Sequence, residues 1–158
     1  PKEHNVTTES YIDSLDHFYE KHLNKNTDVY PFIYEILDVL KSKGIPIAVV
    51  SNKRHPFTLQ SVNEFFADYI DITIGSGSDF PLKPDPKSAE FVLNKFNAKA
   101  ENSFFVGDTG YDINTAKNAG MISIGVLWGM SSEEKLSAFA PDHMFENSQE
   151  LLRFFDSI

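Results

Sequence analysis

With 158 residues, 41% of them hydrophobic, the chain has the length of one ordinary domain, which buries about two-thirds of the surface its unfolded form exposes. Fourteen Phe, six Tyr and one Trp exclude a disordered chain, and the formal net charge of −9, with no run of Lys or Arg, excludes the electrostatic footprint of a nucleic-acid or anionic-membrane binder. The absence of cysteine rules out disulfides and thiolate metal sites.

No apolar stretch approaches the roughly 18 residues of a membrane helix, and Pro1-Lys2-Glu3-His4 carries no apolar leader pattern, so a cytoplasmic protein with no membrane partner is expected. Along the chain, Tyr11, Leu15, Phe18 and His22 recur at helical spacing and predict a helix over 7–23, followed by a polar break at 24–28. Pro31 suits the first turn of a second helix whose buried stripe is Ile33, Ile36, Leu37 and Leu40, with Gly44 suited to end it. Apolar runs at 47–50, 69–74, 104–106, 122–127 and 143–145 read as strands. The intervening helices fall near 56–66, 87–96, 112–119, 132–139 and 148–155. This alternation predicts βαβ units: an α/β, doubly wound, mostly parallel Rossmann-like core with helices on both faces.

In such sheets ligands sit beyond the carboxyl ends of the strands, and the residues there are polar in a patterned way. The first run ends in Ser51-Asn52-Lys53, the second leads toward Lys83-Pro84-Asp85-Pro86, and the third ends in Gly107-Asp108-Thr109-Gly110-Tyr111-Asp112. Ser51 offers a hydroxyl and outward amides suited to phosphate oxygens, although Ser and Asn also serve plain turns. Lys83 sits among three prolines that stiffen its loop, although most lysines are simply solvated. Asp108 and Asp112 form an oxygen-only pair suited to Mg²⁺, although an Asp at a helix start also caps backbone N–H groups. Taken together, a hydroxyl, an ammonium and two acids at successive strand ends converge on one pocket. A phospho-receiver domain uses similar groups, but it places its acids ahead of the hydroxyl and the lysine, the reverse of the order here.

Through Tyr30-Pro31, Val49-Val50-Ser51-Asn52-Lys53, Lys83-Pro84-Asp85-Pro86, Gly107-Asp108-Thr109-Gly110-Tyr111-Asp112 and Trp128-Gly129, the chain resembles haloacid dehalogenase-like phosphatases of the phosphoglycolate phosphatase type. The resemblance implies a Mg²⁺-dependent phosphomonoester hydrolase acting on a small phosphorylated metabolite through an aspartyl-phosphate. Ser51 and Lys83 would be catalytic, and Ser51, Asn52 and Lys83 would hold the phosphoryl group. Asp108 and Asp112 would serve the metal, while Lys53, Arg54 and His55 are candidates for substrate contact. A cis Lys83–Pro84 bond is also implied, as is a division into residues 1–26, a remnant of a helical cap, and residues 27–158, the core domain.

One departure stands out: the family's first strand ends in Asp-x-Asp, and no two Asp residues here lie two apart. This chain alone is therefore expected to be inactive, as a truncated form without its nucleophile. The alternative is a noncatalytic domain that binds or regulates through the same pocket. In the family fold the absent strand lies between those ending at Ser51 and Asp108. That slot is expected to be filled by further residues, by a strand-swapped or complementing partner, or by a shifted strand, because two open edges are costly.

Overall fold

The structure is a computed structural model that describes residues 23–158; the expected cap helix at 7–23 lies almost wholly outside them. Helix α1 runs Ile33–Ser42, with Ile36, Leu37 and Leu40 buried, as its periodicity requires. It starts two residues after Pro31 because Phe32 takes a left-handed conformation, φ 63°, that a helix interior does not admit. Gly44, at φ 68°, follows the last turn in the left-handed role expected of it.

Strand β1 (Ala48–Arg54) leads into α2 (His55–Phe65), β2 (Ile72–Ser76) and α3 (Lys87–Phe96). After a single 3₁₀ turn come β3 (Phe104–Gly107), α4 (Gly110–Asn118), β4 (Ile122–Val126), the short α5 (Glu133–Ser137), β5 (His143–Phe145) and α6 (Ser148–Ser157). The second strand begins at Ile72 rather than Tyr69 because the chain is still turning: the N–H groups of Tyr69 and Ile70 both donate to Phe66 O, at 2.9 and 3.2 Å.

Every strand pair is parallel, β1 with β2 and β3–β4–β5 in that order. The expected single sheet is thus two sheets, and no described strand pairs with both β1 and β3. A shifted strand from the described residues does not fill the slot, since all five strands are accounted for by the two ladders. The sheets are nevertheless joined through the core on one face, where Ile36 and Leu40 of α1 meet Leu151 and Phe155 of α6 over Ile124 and Val126, with Ile47 packed alongside. Strand alternation turns Gly125 the other way, toward Leu136 of α5 and Pro141, so β4 is covered on both faces. Among the described residues no helix is long and apolar enough to cross a membrane.

The start of β5 is pinned to β4 by a small polar knot. Fully buried Ser123 donates its backbone N–H and its hydroxyl to Asp142 Oδ2, at 2.8 and 2.6 Å, while Asp142 N donates back to Ser123 Oγ at 2.9 Å. The Ser123 hydroxyl, then its N–H, hold the Asp142 carboxyl below its ordinary value of 3.8, against a smaller opposing effect of burial. A carboxyl lowered on folding adds stability above its unfolded value, and this is lost as pH falls through the folded one. Asp142→Asn is therefore expected to lower the melting temperature at pH 7, with the difference from wild type shrinking at acid pH, as the pH falls below the ordinary value of 3.8 toward the lowered folded one. Ser123→Ala should cost about 1–2 kcal/mol at either pH, read by thermal melts, because it also leaves the Asp142 N–H without its acceptor.

Candidate active site

The β1–β2 register breaks after Val50↔Ile74 and resumes at Arg54↔Ser76, so Ser51, Asn52 and Lys53 stand opposite Gly75 alone. A bulge of this kind re-aims side chains at a strand tip. Ser51 Oγ accepts from Lys53 N at 3.1 Å, closing a tight local turn. Asn52 reaches across to the proline-rich loop, where its Oδ1 accepts from Lys83 N at 2.8 Å and its Nδ2 donates to Lys83 O at 3.1 Å. With both ends of its side-chain amide engaged on one backbone residue, Asn52 acts here as a tether. Asn118, at the end of α4, holds the same loop from the far side through Pro84 O, at 2.9 Å. The Lys83–Pro84 peptide is cis, as the resemblance implies.

Between these anchors the Lys83 side chain turns inward and is only 13% exposed. Its ammonium donates to Asp112 Oδ1 at 2.6 Å and lies 5.7 Å from the centre of the Phe105 ring on β3. Asp112 is buried, and its second oxygen accepts from Thr109 N at 3.0 Å and Thr109 Oγ1 at 2.7 Å. It is the third residue of α4, and Thr109 is the cap, so Asp112 completes a capping box while pairing with the lysine. Helix capping and pairing with the lysine are here two uses of one carboxylate.

Asp108 differs. Its Oδ2 accepts from Met130 N at 2.7 Å, in the loop after β4, and its Oδ1 accepts no hydrogen bond among the described residues. Three glycines permit this closeness. A Cβ on Gly107 would lie 2.2 Å from Asp112 Cβ, one on Gly129 2.2 Å from Asp108 Oδ2, and one on Gly110 2.2 Å from the Phe139 ring.

The structure thus links Asn52, Lys83 and Asp112 by hydrogen bonds and sets Asp108 against the loop after β4, while Ser51 and Lys83 line the same small cleft with Gly75, Ser76 and Ser78. Lys53 and Arg54 are exposed at its edge, and His55 is turned back, its Nδ1 accepting from Gly75 N at 3.2 Å. Asn118, Thr109 and the Met130 amide were missed by sequence reasoning. Only Thr109, a Thr three residues before an acid, carried a local signal.

The donor set suits a hard divalent cation: it is oxygen-only, and one Asp108 oxygen is left without a donor. Among the described residues no three His, Cys, Asp or Glu side chains cluster as a metal cage. Mg²⁺ does not require such a cage, since it can bind through one or two carboxylates while keeping waters and substrate phosphate oxygens.

Residues 2–126 match the family described as haloacid dehalogenase-like hydrolase. The chain belongs to this family. A phosphoglycolate phosphatase of Yersinia pseudotuberculosis is 30% identical over 153 residues, 96% of this chain and 66% of that protein. The pyrophosphatase PpaX of Listeria monocytogenes is 29% identical over 148 residues, 90% of this chain and 68% of its own length. The crystal structure of a predicted phosphoglycolate phosphatase from Haemophilus somnus superposes with a TM-score of 0.85 at 26% identity, covering 94% of this chain and 68% of the other. This haloacid dehalogenase-like chain therefore spans about two-thirds of the length of its curated relatives.

The Lys83–Asp112 pair sets an order of stabilities. Removing Asp112 deletes an ion pair and two cap bonds and leaves an ammonium with little solvent access, whereas removing Lys83 leaves the acid bonded to Thr109. Asp112→Ala is expected to destabilise by about 3 kcal/mol, and Lys83→Ala by distinctly less, as measured by urea denaturation.

Proposed function

We propose that this chain is the larger part of a Mg²⁺-dependent phosphomonoester hydrolase, of the phosphoglycolate phosphatase-like kind, whose nucleophile is not among these 158 residues. The observation that carries this reading is the inward Lys83 ammonium, fixed on buried Asp112 and tied by its backbone to the Ser51-Asn52 tip. An ammonium so placed serves to neutralise a phosphoryl group passing between oxygens. The Ser51 hydroxyl and the amides of its bulge would receive the phosphoryl oxygens, with Lys53, Arg54 and His55 at the substrate's side. Asp108 would hold Mg²⁺, and Asp112 would support it indirectly by fixing Lys83. The cation, when bound, screens phosphoryl charge.

In this reading the nucleophile is a carboxylate on a strand seated between β1 and β3, provided by the full-length protein or by a complementing partner. That carboxylate attacks phosphorus, the bond to the leaving alcohol breaks, and the alcohol oxygen takes a proton. Water then cleaves the aspartyl-phosphate to inorganic phosphate. Residues 1–26 would belong to a cap and 27–158 to the core. The named relatives point to a small phosphate monoester or pyrophosphate as substrate, and the cytoplasmic setting expected from the sequence is kept as part of this reading.

The test is complementation. The chain alone with Mg²⁺ should release no phosphate from a panel including phosphoglycolate, sugar phosphates and pyrophosphate. Coexpression with an apolar strand ending in Asp-x-Asp should restore turnover, and Lys83→Ala in the restored protein should reduce it by at least about a hundredfold. Failure of the complemented protein to turn over any substrate, while phosphorylated ligands still bind, would instead establish the noncatalytic binding domain.

A further inference from the structure

The loop after β4 contributes no charged side chain to the site, yet it lies directly against Asp108. Met130 is 89% exposed, so its side chain has no packing role, but its backbone N–H sits 2.7 Å from Asp108 Oδ2. Gly129 is what brings it there: any Cβ would come within 2.2 Å of that oxygen, 2.3 Å of Asp108 Cβ and 2.5 Å of its carboxyl carbon. One oxygen of the acid is thereby occupied by an amide, and the other is left to coordinate.

We propose that the Gly129–Met130 segment is a positioning device that enforces one-oxygen ligation by Asp108 and so sets the preference of the site for Mg²⁺ over Ca²⁺. The physical reason lies in the two ions. Mg²⁺ demands near-octahedral geometry at about 2.1 Å, which suits single carboxylate oxygens, whereas Ca²⁺ accepts more ligands at 2.3–2.6 Å and readily takes both oxygens of one carboxylate. An amide held against Oδ2 competes with Ca²⁺ for that second oxygen while leaving Mg²⁺ its one. Outer groups that orient a ligand commonly change metal affinity by 10–100-fold.

This inference rests on the proposed role of Asp108, and the experiment separates the two. Mg²⁺ and Ca²⁺ affinities are measured calorimetrically on the 158-residue chain, with circular dichroism confirming that each variant is folded. Asp108→Asn should abolish binding of both ions. Met130→Pro, which lacks the N–H, should raise the Ca²⁺-to-Mg²⁺ affinity ratio about tenfold, and Met130→Ala, which keeps the N–H, should hold the wild-type ratio. Gly129→Ala should weaken Mg²⁺ by a similar factor, and it supplies an independent reading should the proline variant not fold. Absence of cation binding to wild type, or binding indifferent to Asp108→Asn, would overturn both the metal site and the device. Binding that depends on Asp108 but shows an unchanged ratio in Met130→Pro and unchanged Mg²⁺ affinity in Gly129→Ala would overturn the device alone, as would a shift in Met130→Ala equal to that in Met130→Pro.

Discussion

The contact on which the site depends is the ion pair between Lys83 and Asp112, made at 2.6 Å with both side chains largely withdrawn from water. Among the described residues, the two sheets share no ladder. Their carboxyl ends are coupled instead by a lysine whose backbone belongs to the β1 side, through Asn52, and whose ammonium belongs to the β3 side, through Asp112. Withdrawing two charges from water is costly, and the second oxygen of Asp112 offsets part of that cost by accepting two hydrogen bonds from Thr109. Such an arrangement is poor evidence of stability for its own sake and better evidence of a group held in place for use.

Close packing without side chains does the rest. Gly107 and Gly129 lie directly against the two site carboxylates, and Gly110 lies under the Phe139 ring. None of the three is among the glycines with positive φ, so their requirement is room for neighbouring atoms and not unusual backbone. The strand tips thus act as seats for acids. The helix of α4 starts directly behind them, its capping box using one of those acids as its third residue.

Membership of the haloacid dehalogenase-like hydrolases accounts for the parallel strands, the loop order and the convergence of their tips. It also gives the division into a β1–β2 pair and a β3–β4–β5 trio its meaning. In the function proposed above, one more parallel strand would seat between the two sheets, with its carboxyl end emerging between Ser51 and Asp108. The helices α1 and α6 keep the two halves in one core on one face of that slot.

Much of this was legible in the residues. The apolar runs at 47–50, 104–106 and 122–127 and the stripe of α1 are legible signals, since burial on a helix or strand repeats at fixed spacing. Ser51, Lys83, Asp108 and Asp112 were singled out because each lies just beyond an apolar run or in a stiffened loop, where ligand sites of open α/β sheets are expected. Tertiary structure alone decided what each group touches. The engagement of Asn52 with the Lys83 backbone, of Asn118 with Pro84 O, and of the Met130 amide with Asp108 joins residues 22 to 34 positions apart, and no local pattern encodes such distances. The place of the break between the two sheets was legible only through the family resemblance: a strand's sequence reveals that it is buried, whereas which edges meet depends on how separate segments are placed in space.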